Sequence, residues 1–349
     1  MSDKIKIGFV GAGFMGQLAH LKNYAELDTC EVVAISEPRE KLANSVARKY
    51  NIPKVYKNHI ELIENGGVDA IVAAQPFECH AILLPDILKA KIPLFTEKPL
   101  AVSVEAGEEL AKLARENNTL YMLGYHKRSD VAMQYAESVI DEWQTTGEYG
   151  KMTYVRATMP AGDWIGGAGG ILSSDEPYPP VVKEKPLTYF SEKLNKDYVD
   201  FVNYYIHQVN AMRFLLGEDY KLTYADKQGF MFAVESDSGV TGVVEMSPYQ
   251  NTTDWQEKYL VCFEKGYIEV SLPAPLACQE PGSVVVMRDN GQELASYFSP
   301  ILPKIHAMKS QAQNFIAAVK GEREVICTPE DAVKDLIIAK EYIKFKNNL

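Results

Sequence analysis

In the first third of the chain, apolar residues fall into short unbroken runs, each followed by a stretch with helical spacing. Ile5 to Val10, Cys30 to Ile35, Val68 to Ala74, Pro93 to Thr96 and Leu120 to Tyr125 read as strands, VDAIVAA being apolar enough for burial on both faces. Between them, Gln17 to Leu27, Pro38 to Tyr50, His59 to Asn65, Pro76 to Ala90 and Ser103 to Asn117 read as helices. This alternation predicts a parallel, doubly wound α/β sheet. From about Lys151 the pattern becomes period-two alternation, in MTYVRATM, GVTGVVEM, EKYLVCFE and YIEVSL, with one helix around Val199 to Leu216. Such strands predict a large, mostly antiparallel open sheet in an α+β domain. Ala161 to Asp197, rich in Gly, Pro and charge, reads as a long loop of the kind that serves function. Two helices close the chain, Ile305 to Lys320 and Pro329 to Lys346, the second opened by Thr328-Pro329 with Asp331 at the capping-box position. The expected division is 1–125 and 126–349, with the C-terminal helices free to pack back on the first domain.

The first strand runs into Gly11, Gly13 and Gly16 in G-x-G-x-x-G spacing, with Phe14 and Met15 between the last two. Three glycines near a strand can be only a turn. The strand before, the helix after and an acidic Glu37 about 20 residues on make the motif a dinucleotide fingerprint. Gly11 permits the tight turn, Gly13 lets backbone approach a pyrophosphate, and Gly16 allows close helix–strand packing. The first domain is therefore expected to be a Rossmann domain. A carboxylate at Glu37 accepts ribose hydroxyls and repels a 2′-phosphate, which favours NAD over NADP, although Arg39 could accommodate the phosphate if Glu37 turned away.

Glu97-Lys98-Pro99 follows the strand ending at Thr96. Ligands of open α/β sheets lie beyond the carboxyl ends of the strands, so Lys98 emerges where a nicotinamide belongs. A lysine beside a cationic ring has reason to hold a depressed pKa and to bond a substrate hydroxyl or the forming carbonyl oxygen.

The chain has 349 residues, 46% hydrophobic and 24% charged, enough for two domains. Its net charge of -11 speaks against nucleic acid or an anionic membrane as partner. The strand starting at once after MSDK leaves no room for a leader, and no apolar run reaches membrane-spanning length, so a cytoplasmic location is expected. Cys30, Cys79, Cys262, Cys278 and Cys327 show no metal-ligand spacing, and no metal site is expected.

The fingerprint, Gln75-Pro76-x-x-x-His80, Glu97-Lys98-Pro99, the run Gly124-Tyr125-His126-Lys127-Arg128 and the closing Thr328-Pro329-Glu330-Asp331-Ala332 together resemble the Gfo/Idh/MocA family, relatives of glucose-fructose oxidoreductase and inositol dehydrogenase. The resemblance spans essentially the whole chain. It implies NAD(P)-dependent oxidation or reduction of a sugar or polyol carbon, and homo-oligomers formed through the open sheet. It also implies that Gln75, Pro76, His80, Glu97 and His126 line the cofactor site. Family members commonly carry an Asp and a His one helical turn apart. Here His207 is in register, but Asn203 stands four residues before it, removing the charge that would stabilise an imidazolium.

His207 then reads as general acid/base, against a satisfied core histidine, and Lys98 shares the proton transfer. His126 reads equally as a nicotinamide or substrate contact or as packing. Trp164 with Asp163 offers an apolar platform and a hydroxyl acceptor for a sugar, or else plugs a loop. Tyr125, Tyr204 and Asn210 are further candidates for the substrate site. The helix around His207 and the GYHKRSD run look similar to enzymes that oxidise intact glucosides at the 3-position, which in turn implies a downstream glycoside-cleaving partner. The alternatives are an internal oxidation–elimination–reduction cycle on bound NAD, inositol dehydrogenation, and a non-catalytic NAD-binding regulator.

Overall fold

The computed structural model describes residues 4–246 and 249–349. They form two compact units, one of residues 1–125, 169–191 and 311–336, the other of 126–168, 192–310 and 337–349. Two stretches that lie beyond residue 126 in sequence thus fold with the first unit.

In the first unit, strands β1 (Ile5–Val10), β2 (Cys30–Ser36), β3 (Lys54–Tyr56), β4 (Ala70–Ala73), β5 (Leu94–Glu97) and β6 (Tyr121–Gly124) form one parallel sheet in the order β3-β2-β1-β4-β5-β6. Helices α1 (Lys22–Ala25), α2 (Glu40–Tyr50), α3 (His59–Asn65), α4 (His80–Lys89) and α5 (Val104–Glu116) connect them. Every residue of β4, β5 and β6 is buried, as unbroken apolar runs require when helices cover both faces. The core gathers Ile7, Phe9, Val72, Phe95 and Met122 with Phe315 from the C-terminal stretch. Strand order reverses between β1 and β4, and the carboxyl ends of such a pair are where ligands bind.

The second unit opens with α6 (Val131–Thr146), a helix that lies ahead of the period-two pattern and is not predicted by it. Its sheet comprises β7 (Met152–Thr158), β8 (Tyr220–Ala225), β9 (Met231–Ser236), β10 (Thr241–Glu245), β11 (Glu257–Phe263), β12 (Gly266–Leu272), β13 (Ser283–Arg288) and β14 (Ser296–Phe298). The order is β14-β13-β12-β11-β7-β10-β9-β8, antiparallel except where β7 runs parallel to β10. Alternating burial, as in β9 and β11, shows one face packed, with α8 lying on β7 and β10.

The single helix expected over Val199 to Leu216 is two helices, α7 (Glu192–Tyr204) and α8 (Ile206–Leu216), broken at Tyr205. The carbonyl of Tyr205 accepts from Gln208 and Val209, so the ladder restarts there. The last helices are α9 (Ala307–Val319) and α10 (Pro329–Asn347), the latter capped by Thr328 Oγ1, which accepts the Asp331 N–H at 3.2 Å.

Candidate active site

The glycine turn has the shape a pyrophosphate needs. Gly11 sits at φ +95°, a conformation that L side chains rarely adopt, and a Cβ there would stand 2.9 Å from the Ala74 carbonyl oxygen. A Cβ on Gly16 would stand 2.7 Å from the Gly11 carbonyl oxygen, so helix and turn close directly on each other. A Cβ on Gly13 would meet nothing within 4 Å, leaving its backbone open to a ligand. Phe14 is exposed and Met15 half-buried beside it.

At the end of β4, both amide atoms of Gln75 are buried without a hydrogen-bond partner among the described residues. Buried amides left so are rare, and this one fits the polar edge of a bound nucleotide. Pro76 comes next, and His80 is fully buried with Nδ1 3.0 Å from the Leu100 carbonyl oxygen. Burial lowers the His80 pKa despite that bond, so the ring is neutral, and its Nε2 is buried without a hydrogen-bond partner among the described residues.

Glu37 is buried at the end of β2 and already well occupied. Its carboxylate accepts the Ala12 N–H at 2.9 Å and a fork from Arg39, Nε to Oε1 at 2.7 Å and Nη2 to Oε2 at 3.0 Å. Arg39 is thereby committed to Glu37 rather than held free for a 2′-phosphate. Its guanidinium pKa is raised, first by that hydrogen bond.

Lys98 follows β5 and is half-buried, with its backbone N–H donated to Glu97 Oε2 at 3.2 Å. The other oxygen of Glu97 lies 2.6 Å from His20 Nε2, a buried contact made across 77 residues of sequence. Burial acts to raise the Glu97 carboxyl, but the hydrogen bond and charge of His20, together with Lys98, hold it below the usual carboxylate range. Glu97 therefore stays ionised beside Lys98. His20 is the partner that fixes it.

In the second unit, His126 and His207 meet edge to face, centroids 4.6 Å apart at 74°. Asn203 is exposed and lies on the far side of the break at Tyr205, so the helix-face pairing expected with His207 does not rest on one continuous helix. Tyr125 is buried, ending the first unit at the residue before His126. Tyr204 is half-buried and hydrogen-bonds the Gly162 backbone; burial raises its pKa. Asp163 Oδ1 accepts from the Ile165 and Gly166 amides at 3.0 and 3.3 Å, closing its own loop, while Trp164 beside it is 36% exposed.

Asn210 is buried, and its Oδ1 accepts from Arg128 Nε at 2.6 Å.

Behind the two histidines lies a buried polar cluster that no sequence pattern announces. Lys127 Nζ is 2.5 Å from Glu257 Oε2, both side chains almost wholly buried. The same carboxylate accepts from Gln208 Nε2 at 2.8 Å, Tyr259 hydroxyl at 2.5 Å and Trp255 Nε1 at 3.3 Å. Gln208 adjoins His207, and Lys127 adjoins His126, so Glu257 ties together the backbone that carries both rings. Among the described residues no cluster of His, Cys, Asp or Glu could hold a metal ion, and no helix is long and apolar enough to cross a membrane.

Residues 5–125 match the model of an oxidoreductase family with an NAD-binding Rossmann fold, designated GFO_IDH_MocA. Myo-inositol 2-dehydrogenase of Thermotoga maritima is 26% identical over 222 residues, 64% of this chain and 58% of that protein. scyllo-Inositol 2-dehydrogenase (NAD+) of Bacillus subtilis is 24% identical over 267 residues, 71% of this chain and 68% of that protein. Among solved structures, a proposed NADPH-dependent oxidoreductase of Desulfitobacterium hafniense superposes with a TM-score of 0.78 at 13% identity, over 99% of this chain and 96% of that one, which shows a shared fold. The glycine turn with its open Gly13, the buried amide at Gln75 and the family match over the same residues agree: residues 5–125 form an NAD-binding Rossmann domain similar to that of the Gfo/Idh/MocA oxidoreductases, and the whole chain shares the fold of the solved structure above.

Proposed function

We propose that the protein is a dehydrogenase that oxidises a secondary hydroxyl of a sugar, glycoside or cyclitol with NAD, and that Lys98 and His207 handle the hydroxyl proton. Hydride acceptance is the chemistry that bound NAD supplies. The glycine turn and Gln75 would hold it, with Glu37 at the ribose and its Arg39 fork disfavouring a 2′-phosphate. The substrate hydroxyl gives its proton to Lys98 Nζ or to the His207 ring as the carbonyl forms, and either group returns it in the reverse direction. Asp163 and Trp164, on the loop after β7, and Tyr204, at the end of α7, remain candidates for sugar contact. The observation that carries this reading is the open Gly13 backbone of the glycine turn together with the buried, unpartnered amide of Gln75, which follows the residue that Gly11 abuts.

The inositol substrate class is supported by the names of the two relatives above, and oxidation of intact glycosides at the 3-position by the likeness of the His207 helix and GYHKRSD run. A cytoplasmic, homo-oligomeric enzyme belongs to the same proposal, with a glycoside-cleaving partner only if glycosides prove to be the substrate. The test is to incubate the purified protein with NAD and a panel of inositols, free sugars and aryl glucosides while monitoring nicotinamide absorbance and aglycone release together. NADH with an intact ketone product supports the dehydrogenase reading and sorts the substrates. Aglycone release without NADH would replace it with the internal cycle, and NAD binding without either signal would move the assignment to a non-catalytic role.

A further inference from the structure

Residues Gly16–Leu21, between the glycine turn and α1, form one π turn: the Lys22 N–H donates to the carbonyl of Gln17, five residues back rather than four. Helical spacing predicts an ordinary helix from Gln17 onward, and π turns are rare and frequent at functional sites. All six residues of the turn are buried, so exposure to solvent does not account for the distortion.

The wide turn decides where two side chains go. In an α-helix, residues three apart stand about 60° apart around the axis. A wider turn advances less per residue and spreads Gln17 and His20 further. Gln17 turns to the glycine turn, where its Nε2 donates to the Ala12 carbonyl at 2.8 Å, and its amide also exchanges hydrogen bonds with the Leu172 backbone at 2.8 and 2.9 Å. His20 goes instead to the end of β5. Its ring meets Phe95 edge to face, centroids 5.2 Å apart, and its Nε2 lies 2.6 Å from Glu97 Oε1. The Ala19 carbonyl inside the turn accepts from Asn23 Nδ2 at 2.7 Å.

Glu97 passes the contact on, since its other oxygen accepts the Lys98 N–H at 3.2 Å. One oxygen of the carboxylate is thus held by the π turn and the other by the backbone of the lysine. The titratable groups that face Glu97 are His20, Lys98 beside it, and the neutral His80 at the start of α4. Burial opposes the Glu97 charge, and the hydrogen bond from His20 is the first of the effects that preserve it.

Resting on the assignment of Lys98 to proton transfer, we propose that His20 is a positioning residue of the active site, which through its hydrogen bond to Glu97 fixes the carboxylate that aims Lys98 and sets how readily the lysine takes up a proton. His20 acts through Glu97 and transfers no proton itself. The π turn is the device that allows it, because one turn of chain serves the glycine turn through Gln17 and the lysine through His20. Without His20 the buried Glu97 takes up a proton, and Lys98 loses the negative charge next to it and becomes less basic.

Lys98 can be followed in the full chain without substrate, by NMR of isotopically methylated lysines titrated with alkali, its signal being the one missing from Lys98→Met. His20→Phe keeps an aromatic ring against Phe95 and removes the hydrogen bond, and the Lys98 midpoint should fall by about one pH unit or more, as for loss of a close opposite charge. His20→Gln keeps an N–H for Glu97 and should titrate as the wild type does. An equal Lys98 midpoint in His20→Phe and wild type overturns the role of His20. A His20→Gln chain shifted as far as His20→Phe overturns it too, since the hydrogen bond then does not set the lysine. Should His20→Phe not fold, Glu97→Gln removes the carboxylate itself: the Lys98 midpoint falls if the link exists, and an unmoved midpoint overturns it. Turnover in the substrate panel separates this role from the Lys98 assignment. Full turnover of Lys98→Met removes Lys98 from the chemistry and the positioning role with it, whereas lost turnover there beside an unmoved Lys98 midpoint in His20→Phe removes the role of His20 alone.

Discussion

The nucleotide unit and the unit that carries His207 build their chemistry in opposite ways. In the first, Gly11, Gly13, Gly16, Glu37, Gln75 and Lys98 stand on turns at strand ends, so each is placed mainly by the few residues around it. In the second, His126 and His207 stand on backbone that is tied down from a distance, through Lys127, Glu257 and Gln208, with sequence separations of 130 and 49 residues. Local placement makes the first site robust to change elsewhere. Long-range placement makes the second depend on one buried charge pair.

The largest expected effect breaks the chemistry and leaves both scaffolds standing. Lys98→Met and His207→Gln each should lower turnover by about 10²–10⁴-fold, the range for loss of a positioned acid or base. NADH affinity, read by fluorescence titration, should stay within a few-fold of wild type. Turnover unchanged in both variants would sink the assignment of either group.

Next comes the charge pair. Lys127→Met and Glu257→Gln each strand a buried polar partner, and removing one member of such a pair costs about 3–5 kcal/mol. The double variant should lose less than the sum of the two, since the survivors are coupled. All three tryptophans, Trp143, Trp164 and Trp255, belong to the second unit, so urea unfolding detected by tryptophan fluorescence reports on it selectively. An additive double variant would show that the pair does not act as one.

The contrast between the units also explains what could be read from the chain. The glycine turn, the end of β2 and the Glu97-Lys98-Pro99 step were legible because their meaning is local: a run of apolar residues, then a required glycine or charge. Helix α6 had a signal as well, an amphipathic run between the N-cap Asp130, whose side chain accepts the Ala132 N–H, and Gly147 at φ 67°. The break at Tyr205 had none, because helical spacing continues through it and only the restart of the hydrogen-bond ladder reveals it. His20 and Glu257 were invisible for the same reason that they matter, their partners lying far off in sequence. Residues 169–191 were legible as a long polar loop, while their return to the nucleotide unit is set by pairings such as Gln17 with Leu172, 155 residues apart.

Within the glycine turn the comparison can be sharpened. Gly16→Ala must force a methyl against the Gly11 carbonyl oxygen, at the 2.7 Å where its Cβ would stand, and overpacking of this kind costs about 2–3 kcal/mol. Gly13→Ala meets open space, so its folding stability should match wild type while NADH affinity falls. Thermal unfolding measured by circular dichroism, paired with NADH titration, separates the two. A Gly13→Ala variant that binds NADH as well as wild type would show that the open backbone there is not used.

The last effect, spread across a pH window, concerns a carboxylate in the second unit that is not part of the chemistry. Asp130 is 1% exposed; its Oδ1 accepts the Ala132 N–H at 2.8 Å, and the Gly282 N–H lies 3.2 Å from both oxygens. Burial raises its pKa to about 6 from an ordinary 3.8, although the two backbone donors and Lys127 pull the other way. A folded value above the unfolded one means that the folded chain binds more protons between those limits. The stabilisation from this group is therefore complete below about 3.8 and is lost as pH rises through about 6. Asp130→Asn keeps an oxygen for the α6 cap and cannot ionise. Relative to the variant, the wild type should then lose stability on the order of 3 kcal/mol between acidic and neutral pH, since the shift spans about two pKa units of about 1.4 kcal/mol each. Tryptophan-detected urea unfolding of both proteins at several pH values across that window measures the difference. A gap that stays constant with pH would mean that Asp130 keeps its charge when buried, held by Lys127 and the two amides, and would place it with the long-range charge network of this unit rather than with its caps.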